Sequence, residues 1–208
     1  MGAWAQACFL QAQVTVNADF SRDITPSNPG GNPAGVTHVG AGPAGSVGGQ
    51  WNDCAIPLSA AGSTVQAGQE FSSLVDDDGA ATNFKLEITS GFYRSFNSGS
   101  AASGTVAALQ NDRVFSRNGE TATITLKNLA PGENYDIYLI CSGSFTTEYT
   151  IGGVSKTATG ATHDGSWTEG SEHVTFTGQT APANGEIVIT LQDGAAPINS
   201  FAVISGLQ

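Results

Sequence analysis

The chain has 208 residues, of which 39% are hydrophobic and only 12% are charged, and its formal net charge is -11. This length allows one good hydrophobic core, so we expect a single main domain. The 18 acidic residues outnumber the 7 basic ones and repel phosphate backbones, which excludes nucleic acid as an expected partner. The sequence also has no apolar run of the roughly 18 residues that a transmembrane segment requires.

The N-terminal segment 1–13, "MGAWAQACFLQAQ", is a short apolar run with an A-x-A match at Ala5 to Ala7. This pattern resembles the end of a secretory signal peptide, although a basic n-region is missing. We interpret the segment as a signal-peptide remnant or, alternatively, as an N-terminal extension that forms an ordinary first strand. Residues 14–208 are predicted to form the folded domain.

Apolar and polar residues alternate along the chain, and no sustained helical stripe occurs. The first alternating segment is "VTVNADF", which places on one face Val14, Val16, Ala18 and Phe20. In "NFKLEIT", Lys85 and Glu87 face away from the apolar residues. The same pattern continues in "ETATITLKNL", "YDIYLI", "EHVTFTG" and "GEIVITLQ". The sequence therefore predicts an all-β fold, an antiparallel β-sandwich whose solvated faces carry threonine and charged residues.

Three segments interrupt the predicted strands. Residues 21–50 are rich in proline and glycine and predict a long loop rather than a second domain. The segment "VAALQNDRVFS" predicts the one short helix, with Val106, Leu109 and Val114 toward the core. In "LAPGENY", the Pro-Gly pair predicts a turn, and the hydroxyl of Tyr135 is expected to bond the backbone upstream, as in a tyrosine corner.

Several blocks follow one another in a recognisable order: "VTVNADF", "GQWNDCAI", "LVDDDGAATNFKLEI", "ITLKNLAPGENYDIYLICSGS" and the closing "SFAVISGLQ". Together they resemble a recurrent β-sandwich domain of secreted bacterial proteins, found in PEP-CTERM-type sorted surface proteins and in large exported polypeptides. The resemblance covers nearly all of residues 14–208. It implies a jelly-roll-like or galactose-binding-like sandwich that is secreted and lies outside the cell or on its surface, and it brings no catalytic residues to carry over.

Removal of the leader would leave two cysteines, Cys54 and Cys141. An even count in an oxidising compartment is compatible with one disulfide between them. The alternative is two separate buried thiols.

Carbohydrate recognition needs a flat aromatic ring for the apolar face of a pyranose, with amides or acids nearby for its hydroxyl groups. Two segments combine these residue types: "GFYRSFN", which joins aromatic residues to a loop of small residues, and the polar loop "THDGSWTEG". The predicted ligand-binding residues are Tyr93, Arg94, Phe96, Asn97, Asp164, Trp167 and Glu169. For Trp167, a buried position in a solvated loop is the alternative.

The run of three aspartates at 76–78 precedes a glycine and a predicted strand. Because Ca²⁺ prefers several oxygen ligands, we predict a calcium site at Asp76 and Asp78, completed by backbone carbonyls. The alternative is an Asp-Gly turn that leads into the strand. An EF-hand is excluded, because its twelfth position, Glu87, lies within the strand and its sixth is Ala81 instead of glycine.

The sequence contains neither the G-x-S-x-G nucleophile motif nor the H-E-x-x-H and C-x-x-C zinc motifs. From the resemblance and the aromatic residues of the two loops, we predict an extracellular, non-catalytic binding module, with a polysaccharide or cell-surface glycan as its ligand. A structural subunit that self-associates into an extracellular fibre, sheath or surface layer is the second hypothesis. A polysaccharide-active enzyme is the third.

Overall fold

The computed structural model describes residues 14–20, 38–40, 42–44, 49–54, 56, 68–97, 112–116, 119–194 and 201–208. These residues form fifteen strands: β1 (Ala18–Asp19), β2 (His38–Gly40), β3 (Gly49–Asp53), β4 (Gln69–Phe71), β5 (Lys85–Ser90), β6 (Phe92–Asn97), β7 (Asp112–Ser116), β8 (Ala122–Lys127), β9 (Asn134–Ile140), β10 (Thr147–Ile151), β11 (Val154–Ala158), β12 (His173–Thr180), β13 (Ile187–Asp193), β14 (Val203–Ile204) and β15 (Gly206–Leu207). Within these ranges no helix is long and apolar enough to cross a membrane.

The strands form two six-stranded sheets and one small sheet. The first sheet has the order β12-β9-β15-β1-β3-β2, the second has the order β11-β10-β13-β8-β5-β4, and the third has the order β14-β7-β6. Described neighbours are antiparallel except β1 and β3, which run parallel. From β8 onward the chain crosses repeatedly between the two large sheets, as in jelly-roll sandwiches. The predicted all-β, antiparallel sandwich is confirmed.

The inward faces of the two large sheets share one hydrophobic core. Alternate residues of each strand point inward, so β9 and β12 of the first sheet meet β5, β8, β10 and β13 of the second. The buried residues that these strands contribute to the core include Leu86, Ile88, Ile124, Ile137, Leu139, Tyr149, Val174, Phe176, Ile189 and Leu191. The predicted alternation in 83–89 is confirmed, because Leu86 and Ile88 are buried while Glu87 lies on the outer face and pairs with Lys127.

The strand β1 differs from the predicted one-sided pattern. Ala18 and Phe20 enter the core as expected, but Val14 is 51% exposed. Asn17 and Asp19, on the opposite face, are completely buried. The Asn17 side-chain amide donates to the Gln50 carbonyl at 2.7 Å, so protein and not solvent also covers the face of β1 that points away from the core.

The predicted loop at 21–50 is wrong at its C-terminal end. His38–Gly40 form β2, which pairs with the start of β3, so that His38 lies opposite Trp51 and Gly40 opposite Gly49. Residues 1–13 and 21–37 lie outside the described residues.

The predicted helix at 106–116 is also wrong where the structure describes it. Asp112–Ser116 form β7, in which Val114 is completely buried and pairs with Ile204 of β14. Val106 and Leu109 lie outside the described residues. A short apolar run does not distinguish a helix from a buried strand. Here the segment forms a strand because it pairs with β6 and with β14, which is distant in sequence.

The predicted tyrosine corner is confirmed. The backbone N–H of Ala130 donates to the Tyr135 hydroxyl at 2.9 Å. Gly132 has a φ of 83° in the turn between them, a left-handed conformation that side chains disfavour. The contact fixes the start of β9, the strand that carries part of the candidate site.

The predicted disulfide is wrong, because Cys54 and Cys141 are both free and buried. Cys54 follows β3 and Cys141 follows β9, and β1 and β15 lie between these strands. Three inter-strand spacings of about 4.8 Å place the two residues roughly 14 Å apart. A disulfide needs Cα atoms within about 7 Å, so the alternative of two buried thiols holds.

Both thiols are expected to resist alkylation in the native protein and to react after unfolding without any reductant. Burial raises the pKa of each thiol, that of Cys54 well above its ordinary value, and so removes the reactive thiolate. Iodoacetamide labelling with and without guanidinium, followed by peptide mass spectrometry, measures this. Recovery of a linked Cys54–Cys141 peptide from unreduced protein would contradict it.

Candidate ligand-binding site

The candidate site lies on the outer face of the first sheet, where β9 and β12 pair. Tyr138 is opposite Thr175, and Ile140 is opposite His173. Because successive residues point to opposite faces and Leu139 and Val174 enter the core, these four side chains lie on the outer face. The connection from β11 to β12, residues 159–172, covers them and is called the Trp167 loop below.

The backbone of the Trp167 loop is anchored at both ends. The N–H groups of Thr159 and Gly160 donate to the carbonyls of Gly170 and Ser171, at 3.1 and 2.9 Å. The N–H of Cys141 donates to the carbonyl of Glu172 at 2.8 Å, which ties the loop to the end of β9. These bonds hold the loop as a closed turn against the sheet.

Trp167 is half-buried and packs against Trp51 and Ile140, which are both fully buried. Its ring centroid is 4.6 Å from that of His163, with an angle of 45° between the rings. The His173 ring meets it edge-on, with centroids 6.1 Å apart. Trp167 therefore agrees in part with both sequence interpretations, the buried one and the ligand-binding one. It packs on a small apolar cluster, yet the residue remains partly exposed to solvent.

Glu169 organises the polar side of the loop. Its carboxylate accepts the backbone N–H and the hydroxyl of Thr175, at 3.0 and 2.8 Å, and a bond from Lys156 at 3.2 Å. The Nε2 atom of His173 lies 3.4 Å from the same carboxylate. Burial alone would raise the pKa of Glu169, but the bonds from Thr175 and Lys156 lower it below its ordinary value.

Asp164 lies on the exposed side of the same loop. Its Oδ1 atom accepts the backbone N–H of Ser166 at 3.3 Å and the Ser166 hydroxyl at 3.1 Å. These two hydrogen bonds lower the Asp164 pKa. Asp164 and Glu169 are therefore ionised near neutral pH and can accept hydrogen bonds from a hydroxylated ligand.

His173 is almost completely buried, and its pKa is lowered. Burial is the largest cause, and it outweighs Glu169 and Glu172, which raise the pKa, while Lys156 lowers it further. Tyr138 covers the other side of the ring, with centroids 6.3 Å apart. The imidazole is therefore held neutral beside Trp167.

The seven predicted ligand-binding residues fall into two separate groups. Asp164, Trp167 and Glu169 are brought together in the Trp167 loop. The others, Tyr93, Arg94, Phe96 and Asn97, lie in β6 of the third sheet, which pairs with β7 and has an irregular register between Phe92 and Arg94. The side chains of these four lie outside the described residues, so their binding role stays a prediction.

Sequence reasoning missed His173 and Tyr138 as parts of the site, and it did not predict that His163 contacts Trp167. The signal for His173 was present, because it follows Glu169 by four residues and opens an alternating strand whose apolar members face inward. The contact between His163 and Trp167 depends on the path of the loop, which no periodicity encodes.

The aspartate run forms a tight turn. The Oδ1 atom of Asp76 accepts the N–H groups of Asp78 and Ala80, at 3.1 and 2.7 Å, and the N–H of Gly79 donates to the Asp76 carbonyl at 3.0 Å. Asp78 is exposed. Among the described residues, no group of three or more His, Cys, Asp and Glu side chains is arranged to hold a metal. The predicted turn is therefore present, and calcium binding at Asp76 and Asp78 stays a prediction.

No protein-family model and no curated protein sequence matches this chain. Two solved structures are similar to it, both of the exo-β-1,3-galactanase from Phanerochaete chrysosporium, one with galactose and one of a variant with β-1,3-galactotriose. The sequence identities are 16% and 17%, and the TM-scores are 0.30 and 0.31. The matches cover 69% of this chain and 29% of the galactanase chains.

Substitution of Asp76 by alanine is expected to destabilise the fold by about 1–2 kcal/mol, because two backbone N–H groups lose their acceptor. Asp78→Ala is the matched control and should change stability little, since its side chain is exposed. Denaturant unfolding measures both.

If the aspartate run also binds calcium, added Ca²⁺ will raise the melting temperature of the wild type and not that of Asp78→Ala. A wild-type melting temperature that Ca²⁺ leaves unchanged contradicts the calcium site.

Proposed function

We propose that the protein is an extracellular, non-catalytic binding module, that its ligand is a polysaccharide or cell-surface glycan, and that the Trp167 loop makes the contact. The observation that carries the proposal is the half-buried indole of Trp167, which packs on Ile140 in a loop that also carries the ionised carboxylates of Asp164 and Glu169. A fixed aromatic ring next to hydrogen-bond acceptors matches the two faces of a sugar ring, one apolar and one rich in hydroxyls.

Preorganisation favours binding at this loop. The indole of Trp167 is held by His163 and His173, so little side-chain freedom remains to be lost when a ligand arrives. A carboxylate offers about four acceptor positions, and the bonds from Ser166 engage one oxygen of Asp164. The loop can therefore accept sugar hydroxyls without first breaking its own contacts.

The lowered pKa values of Asp164 and Glu169 favour glycan binding over glycan hydrolysis as the function of the Trp167 loop. A glycosidase requires a general acid whose pKa is raised, opposite a second carboxylate. Both Asp164 and Glu169 have lowered pKa values, so neither holds a proton to donate near neutral pH. A polysaccharide-active enzyme therefore remains the third prediction.

Location outside the cell is supported by the sequence and is compatible with the cysteines. The resemblance of residues 14–208 to domains of exported proteins favours secretion. Free thiols at Cys54 and Cys141 are compatible with an extracellular location, because burial and a raised pKa protect a thiol from oxidation.

Trp167→Ala is expected to weaken glycan binding about tenfold or more, corresponding to about 1.4 kcal/mol. Val188→Ala is the matched control, because Val188 is 48% exposed on the other large sheet and its truncation should leave binding unchanged. Glycan arrays followed by titration calorimetry measure both variants. Binding that persists undiminished in Trp167→Ala but is lost in Tyr93→Ala would move the site to β6.

The second candidate, a structural subunit that self-associates, is favoured by one specific observation. Among the described strands, β11 lies at the edge of the second sheet, and it begins with Val154, which is 56% exposed. An edge strand that offers unpaired backbone groups and an apolar side chain is a template for pairing with another copy.

If the protein assembles through this edge, Val154→Lys should abolish filaments or large particles, because a charge at an edge strand opposes pairing. Val188→Lys, an exposed valine away from the edge, serves as the control. Electron microscopy and light scattering at high concentration measure assembly. Monodisperse monomers in the wild type, with and without Ca²⁺, would contradict the structural role.

A further inference from the structure

The buried imidazole of His173 connects the Trp167 loop to the rigid sheet below it. His173 begins β12 and is only 5% exposed. Tyr138 on β9 and Trp167 in the loop enclose its ring, with centroid distances of 6.3 and 6.1 Å. A change in the protonation of this ring therefore acts directly on the contacts that hold Trp167.

The two ring nitrogens of His173 have different surroundings. Nε2 lies 3.4 Å from the Glu169 carboxylate, which suits an N–H donor at that atom. Nδ1 is buried and makes no hydrogen bond within the part of the chain that the structure describes. A neutral imidazole with its proton on Nε2 therefore fits the closed loop, whereas a charged imidazole would place a second N–H where the described residues provide no acceptor.

Charged and titratable groups approach His173 from every element around it. Glu169 and Glu172 belong to the loop, Lys156 lies on β11, and Tyr138 lies on β9. His163 is on the far side of Trp167 and contacts the indole. The two glutamates favour the charged imidazole, while burial and Lys156 oppose it, and burial is the largest effect.

We propose that His173 is a pH switch for the Trp167 loop: protonation of the imidazole opens the loop, withdraws Trp167 from Ile140 and thereby weakens ligand binding in acid. The ligand effect rests on the proposed glycan-binding function, while the loop movement does not.

The direction of the switch follows from linkage. In the open loop the ring is solvated and titrates near its ordinary pKa of 6.5, whereas in the closed loop its pKa is lower. Protons therefore bind more tightly to the open state, which gains population as the pH falls below 6.5. By reciprocity, a ligand that binds the closed state lowers the transition pH further.

The test follows the loop between pH 8 and pH 4.5 by tryptophan fluorescence and by amide-exchange protection of residues 159–172. Trp167→Phe assigns the fluorescence change to the loop. The wild type is expected to show a reversible transition with a midpoint below 6.5. His173→Gln, which keeps a neutral polar side chain, should lose the transition. His163→Gln is the matched control on the other side of the indole and should keep it.

Glu169→Gln keeps the proposal testable if His173→Gln fails to fold. Glu169 raises the pKa of His173 in the closed loop, so its neutralisation lowers that pKa, makes protonation of the closed state more costly and should move the midpoint of loop opening to higher pH. A wild type without a transition, a midpoint that Glu169→Gln leaves unchanged or lowers, or a transition lost in His163→Gln and kept in His173→Gln would overturn the switch.

Glycan titrations at pH 7.5 and pH 5 separate the switch from the proposed function. Weaker binding at pH 5 in the wild type, but not in His173→Gln, supports the coupling, and equal binding at both pH values overturns it. A loop transition in a protein that binds no glycan would support the loop switch and contradict only the proposed ligand class.

Discussion

The pairing of the first and last strands is the constraint on which the rest of the sandwich depends. β1 lies between β15 and β3, with Ala18 opposite Leu207 on one side and Asn52 on the other. β15 in turn pairs with β9, so β1 and β15 join the β2–β3 hairpin to the β9–β12 pair. Without these two short strands the first sheet would divide, and the surface that carries the candidate site would lose its support.

The C-terminal segment fixes this arrangement because it belongs to two sheets in succession. Val203–Ile204 pair with β7 in the third sheet, and Gly206–Leu207 pair with β1 and β9 in the first. Between them, Ser205 donates from both its N–H and its hydroxyl to the Ile140 carbonyl. The hydroxyl of Tyr149, from the second sheet, donates to the Val203 carbonyl. These buried polar contacts specify one register, because a shift by one residue would leave each of them without its partner.

The sequence was sufficient for features that depend on local chemistry. The alternation around Leu86 and Ile88 predicted β5 correctly, and the spacing of "LAPGENY" predicted the hydrogen bond between Ala130 and Tyr135. Apart from the β2–β3 hairpin, the failures involve partners that are distant along the chain. Val114 lies in a strand because β6 and β14 pair with it, and the Asn17 side chain is buried where it donates to the Gln50 carbonyl, 33 residues along the chain.

The candidate site was only partly predictable for the same reason. Trp167, Asp164 and Glu169 could be identified by residue type within one loop. The imidazole of His173 becomes part of the site only because β12 aligns with β9 and the loop folds back over both strands. Whether a pair of cysteines can form a disulfide likewise depends on how many strands separate them, and that number is a property of the sheet order.

The chain has few charged residues, and several of them are concentrated in and around the Trp167 loop. With 12% of the residues charged, most of the fold is held by apolar burial and backbone pairing, which depend weakly on pH. The loop and its support, by contrast, bring together Lys156, Asp164, Glu169, Glu172 and two histidines. A loop held mainly by hydrogen bonds can open at a lower free-energy cost than the core strands beneath it. Titration can therefore reposition Trp167 while the sandwich stays folded, which is the property that a regulated binding surface on a rigid scaffold requires.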